Sequence, residues 1–128
     1  MQVNKVNSYQ QNFQGLQFHD GVTDVLKKRV KTSELQMLQG IISEIKNNKQ
    51  VDAVVYLAGG KNSEKLGANI SPNKIIDGVN SDYVNEGLLY KFKNPIAFFN
   101  SVRNKVNKMT NKIENTIYKN KVIDNFTK

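Results

Sequence analysis

Residues 51–58, VDAVVYLA, decide the fold. The run is β-branched and apolar on both faces, so it reads as a central strand of a sheet. Gly59-Gly60-Lys61-Asn62 follows with turn chemistry, and Leu66, Ala68 and Ile70 then alternate. That pattern predicts the return strand of a hairpin. Ser71-Pro72-Asn73 turns again. Lys74–Val79 predicts a short third strand, and Asn80-Ser81-Asp82 a further turn. Leu88, Tyr90 and Phe92 alternate over residues 84–93, which predicts a fourth strand.

Upstream of the central strand the period changes. Leu35, Leu38, Ile41, Ile42 and Ile45 keep helical spacing, predicting a helix over about 34–47 that stops at Asn47-Asn48. Ser33 to Gln36 matches a capping box at its start. A shorter helix precedes it, with Asp20 as cap and Val22, Val25, Leu26 and Val30 on one face. Lys31-Thr32-Ser33 breaks the two apart. Leu16 and Phe18 alternate as in a strand, with Gly15 suited to a bend. Residues 1–12 are polar and rich in Gln and Asn, too poor in apolar groups to offset their ordering entropy.

Downstream, Asn94-Pro95 is a helix start, with Asn at the cap and Pro at the first helical position. Phe99, Val102, Val106, Met109, Ile113 and Ile117 recur at three- and four-residue spacing and span about 80° of helical arc. The helix is expected over 95 to about 118. These elements predict an α+β domain over residues 13–119: a mainly antiparallel sheet of about four strands, with a broken N-terminal helix and a long C-terminal helix packed on one face. Residues 1–12 are expected to form a flexible lead and 120–128 a fraying tail.

Composition narrows the function. The 128 residues include no Cys and one His. Thiolate nucleophiles, disulfides, Cys-ligated metals and multi-histidine metal sites within one chain are thereby excluded. The longest apolar runs fall far short of the ~20 residues of a membrane span, and residues 1–18 lack the pattern of a secretory signal. A cytoplasmic setting without a membrane partner is expected. Mean hydropathy is −0.55, polar but still compatible with a packed core.

The motifs with chemical potential each have a structural competitor. Gly59-Gly60-Lys61-Asn62-Ser63 follows a strand, but it lacks the glycine spacing, the hydroxyl after Lys61 and the following helix of a phosphate loop. His19, Asp20 and Asp24 would offer a base and its orienter without a nucleophile. Asp77, Asp82 and Glu86 do not match calcium-loop spacing. Glu44-Ile45-Lys46 imitates half of a nuclease motif, yet it falls on a helix. Tyr56, Tyr83, Tyr90, Phe92, Phe98 and Phe99 have rings able to stack on bases; Tyr90, Phe92 and Phe99 fit the core-facing pattern instead. No cofactor is implied, and no set of titratable groups has the types and spacing of a catalytic site.

Charge is the strongest signal. The formal net charge is +8, and residues 91–128 carry 9 basic and 2 acidic residues, against 10 and 9 in residues 1–90. Lys105, Lys108, Lys112 and Lys119 fall within about 60° of one helical side, with Arg103 nearby. Lys27, Lys28, Arg29 and Lys31 form a second cluster on the first helical region. Seventeen of the 19 basic residues are Lys, a composition that AT-rich codon usage also supplies and that lacks the planar fork used for guanine reading.

The order of strand, helix, strands and helix resembles the short ribosome hibernation promoting factors. The segment Gly21-Val22-Thr23-Asp24-Val25-Leu26-Lys27-Lys28-Arg29-Val30 is similar to the stretch that opens that family's first helix, and the Lys-rich helix after Pro95 is similar in placement to its last. The resemblance covers residues 13–117. It implies a sheet with two basic helices on one face that meet ribosomal RNA. The expected function is a small non-enzymatic binding protein that engages RNA or ribonucleoprotein through Lys105, Lys108, Lys112, Lys119, Arg103, Lys27, Lys28, Arg29 and Lys31. The alternative is a protein-binding inhibitor or adaptor, such as a small phage or mobile-element protein that blocks a host machine through apolar surfaces or a strand edge. Oligomeric state stays open at this point.

Overall fold

The computed structural model describes residues 15–60 and 62–128, so the lead expected over residues 1–12 lies outside the described residues. The elements are β1 (Leu16–Phe18), α1 (Val22–Arg29), α2 (Leu35–Lys46), β2 (Val51–Leu57), β3 (Leu66–Pro72), β4 (Asp82–Asn85) and α3 (Pro95–Phe126), with single 3₁₀ turns at Thr32–Glu34 and Tyr90–Phe92. The α+β class holds, with a four-stranded sheet in the spatial order β1-β2-β3-β4.

The sheet is mixed rather than uniformly antiparallel. β1 runs parallel to β2, with Leu16 opposite Ala53 and Phe18 opposite Val55. The reason is the crossover: α1 and α2 carry the chain back to the starting end of the sheet, which only a connection of this length allows. β2, β3 and β4 follow as an antiparallel meander, with Ala53 opposite Ile70 and Ala68 opposite Val84.

Several local expectations are corrected. Asp20 does not cap α1. The cap is Gly21 at φ +88°, without a side-chain hydrogen bond, because the turn after β1 needs a left-handed residue and a Cβ there would stand 2.9 Å from Leu57 Cδ1. The break at Lys31–Ser33 is present, but Glu34 rather than Ser33 supports it, by accepting from the Lys31 N–H at 3.0 Å. Residues 74–79 form no strand: the chain turns through Gly78 at φ +85°. β4 lies at Asp82–Asn85, partly on the stretch expected to turn. Leu88 and Phe92 are 93% and 86% exposed; their alternation belongs to a loop and a 3₁₀ turn, where side chains also diverge.

One core fills the space between the sheet and the helices. Val51, Ala53, Val55, Leu66, Ala68 and Ile70 meet Val22 and Val25 of α1, Leu38, Ile41 and Ile45 of α2, and Phe99, Val102, Val106 and Ile113 of α3. Phe99 sits at the centre, edge-on to Phe18 and Phe98 at ring distances of 6.3 and 5.1 Å. The Asn94 side chain caps α3 by accepting from the Ile96 N–H at 2.9 Å, as the sequence predicts. Asn48 organises the turn between α2 and β2. Its Oδ1 accepts from the N–H groups of Gln50 and Val51, and its Nδ2 donates to Thr110 Oγ1 of α3 at 2.9 Å.

α3 continues past residue 118 to Phe126, 32 residues in all, because no Gly or Pro interrupts it. At 1.5 Å per residue it is about 48 Å long, roughly twice the length of a seven-residue strand. It therefore outruns the sheet, and Ile117 emerges half-exposed.

Gly15 marks a close approach of backbone to backbone. Its φ is +87°, and a Cβ would stand 2.4 Å from the carbonyl oxygen of Lys46 at the end of α2. Gly15→Ala should therefore destabilise the domain by more than about 1 kcal/mol, read as a lower urea midpoint at unchanged slope.

Candidate nucleic-acid interface

The nine predicted cations do not form one surface. Lys27, Lys28 and Lys31 gather near the start of α3, because Arg29 between them donates to the Lys93 carbonyl and Glu34 accepts from the Asn94 side chain. Lys105 and Lys119 stand about 15 and 36 Å further along the α3 axis from Pro95.

Arg29 is not available to a partner. Its side chain is 9% exposed and that of Glu86 7%. The guanidinium makes a bidentate pair with Glu86, at 2.5 and 2.8 Å. It also donates to the carbonyls of Glu64, Tyr90 and Lys93 at 2.9–3.1 Å, and it lies 5.4 Å from the Tyr90 ring centre. Glu86 in turn accepts from the Leu66 N–H at 2.9 Å. This buried fork ties α1, the start of β3 and the loop before α3 together. The Glu86 N–H still donates to the Leu66 carbonyl at 2.9 Å at the end of the β3–β4 ladder, while its carboxylate and the Tyr90 carbonyl turn onto Arg29. No short-range pattern marks a pair 57 residues apart.

Three further cations are partly engaged. Lys28 pairs with Glu64. Arg103 reaches Glu44 of α2 at 3.2 Å and Asn100 at 2.9 Å. Lys105 pairs with Asp82 at 2.8 Å, while the other Asp82 oxygen accepts from the Tyr83 N–H at 2.7 Å. Hydrogen bonding from Lys105, then from the Tyr83 amide, holds the Asp82 carboxyl below its usual range. These exposed pairs contribute little to stability, but they direct the side chains. Arg103 leans toward α2, whereas Lys105 leans toward β4.

The remainder of the stripe is open. Lys108, Lys112 and Lys119 are exposed and have no ion pair among the described residues. With Asn111, Asn115 and Thr116 they make up one open patch on the outer side of α3. The Lys and Asn stripes thus border one surface, offering cations beside amide donors and acceptors. Such a surface suits phosphate and sugar oxygens.

The other chemical motifs resolve into structure. The Gly59–Ser63 segment joins β2 to β3, with no helix after it. Glu86 is committed to Arg29 and Asp82 to Lys105, and among the described residues no group of three His, Cys, Asp or Glu could hold a metal ion. No described helix is long and apolar enough to cross a membrane. Compared with known proteins, the chain matches no family model, no curated protein and no solved structure.

Proposed function

We propose that this is a non-enzymatic binding protein that engages RNA or a ribonucleoprotein through α3, with Lys108, Lys112 and Lys119 as the phosphate-contacting side chains. The single observation that carries the reading is their placement: three cations on one solvent-facing side of a helix whose first half is locked into the core. The likeness to the ribosome hibernation promoting factors supports the same reading. A strand, a helical region, three strands and a Lys-rich helix follow in the order on which it rests, with the helices on one face of the sheet.

Replacing Lys108, Lys112 and Lys119 with Glu leaves the Lys105–Asp82 pair and the apolar stripe intact. RNA binding should collapse, and three lost phosphate contacts should flatten the log–log dependence of affinity on salt by about two units. Unchanged binding by the triple variant would sink the proposal.

One observation favours the second reading, a protein-binding adaptor or inhibitor. Leu88, Leu89 and Phe92 stand exposed together in the loop between β4 and α3, an apolar group of the kind that protein partners cover. Recovery of partners from host lysate with and without nuclease separates the two: an RNA-dependent association disappears on nuclease treatment, and a protein association through this loop remains.

A further inference from the structure

The sheet face turned away from the helices carries two of the rings singled out in the sequence, Tyr56 and Tyr83. Gln17, Val54, Asn69 and Tyr83 form one row across the four strands, and Tyr56, Gly67 and Asn85 form the next outward-facing row. Gly67 determines how Tyr56 lies. A Cβ on Gly67 would stand 2.9 Å from Tyr56 Cζ and 3.0 Å from Cε2, so the ring reclines across the sheet over the glycine. Its hydroxyl donates to Asn85 Oδ1 at 3.1 Å, which fixes the far end. The His19 ring stands beside it, with centroids 6.4 Å apart and planes at 49°. A ring held down in this way turns its outer π face away from the sheet. Tyr56 borders an open concavity of about 700 Å³ shared with Gln17, His19, Asp20 and Asn69. Tyr83 is 63% exposed and lies two strands over and two residues along, about 12 Å away.

We infer that this face is a stacking platform for unpaired nucleobases. Tyr56 and Tyr83 each take one base, and the amides of Asn69 and Gln17 meet base edges. The inference rests on the RNA reading above and adds what a second surface takes: bases rather than phosphates. Asp20 and Asp52 lie on this side, so attraction here comes from stacking and is weakly sensitive to salt, unlike that of the α3 stripe. The two surfaces adjoin at β4, where Tyr83 follows Asp82, the residue that holds Lys105. A single strand crossing that edge meets both.

The test compares two single-stranded RNA oligonucleotides of equal length, one oligo-adenylate and one abasic, binding to the full chain. Wild type should bind the oligo-adenylate at least tenfold more tightly, and the ratio should persist at high salt. In Tyr56→Leu with Tyr83→Leu the ratio should fall to about one, whereas Tyr56→Phe, which keeps the ring, should retain it. The Lys108/Lys112/Lys119→Glu variant should weaken both oligonucleotides alike and leave the ratio unchanged. Equal binding of the two oligonucleotides by wild type, or an undiminished ratio in the double Leu variant, overturns the platform while leaving the Lys reading intact. Failure of wild type to bind either one overturns both. The wild-type comparison decides the matter even where a variant is poorly folded.

Discussion

Arg29→Ala should lower the melting temperature by about 12–20 °C. Removing one partner of a buried ion pair costs about 3–5 kcal/mol, and for a domain of this size each kcal/mol corresponds to about 4 °C. The cost is concentrated because Arg29 serves five acceptors. Its loss strands the Glu86 carboxylate at 7% exposure and removes the guanidinium donor from the carbonyls of Glu64, Tyr90 and Lys93, of which Tyr90 keeps the Lys93 N–H. Arg29→Lys should recover only part of the loss, since an ammonium cannot span both carboxylate oxygens and three carbonyls. Replacing both partners, Arg29→Met with Glu86→Leu, should be milder than either truncation alone. A thermal melt of Arg29→Ala within about 3 °C of wild type would return Arg29 to the set of surface cations.

Val106→Asp should abolish cooperative unfolding. Val106 is 1% exposed, in the middle of the α3 stripe that meets the sheet, and the described residues of the core around it are apolar. A carboxylate there faces a desolvation penalty that takes the change beyond about 4 kcal/mol, a large share of the stability of a domain of this size. Ile113→Asp, at equal exposure, should behave similarly. Asn107→Asp and Asn111→Asp, on the exposed side of the same helix, should stay within about 0.5 kcal/mol of wild type. Circular dichroism during urea titration reads all four. Greater sensitivity on the Asn side would mean that α3 is rotated about its axis relative to the arrangement described here.

Legibility in the sequence followed the range of the interactions. The α3 stripe repeats every three or four residues over many turns, so its buried side was readable from Phe99 through Ile113. The Asn94-Pro95 start depends on adjacent residues alone. β2 was readable because a β-branched run with apolar residues on both faces fits few places other than the inside of a sheet. Shorter patterns misled: Leu88, Tyr90 and Phe92 alternate as a strand would, but three alternating positions also fit a loop and a turn, and the exposure of Leu88 and Phe92 decides for the latter. For the candidate interface, the sequence placed Lys105, Lys108, Lys112 and Lys119 on one side of a helix. It gave no means of separating open cations from engaged ones.

The sequence by itself determined the α+β class, the hairpin of β2 and β3, the capped and amphipathic α3 and the one-sidedness of its lysines, because each is a property of neighbouring residues on a regular period. Only the tertiary structure decided that β1 lies parallel to β2, that Arg29 is buried on Glu86 while Lys108, Lys112 and Lys119 stay open, and that Tyr56 reclines over Gly67 on the outer face of the sheet. Those outcomes join groups brought together from distant parts of the chain, and the favourable partner for a charge or a ring is set by which elements pack against each other. Local pattern carries no record of that choice; the shared core of sheet and helices makes it.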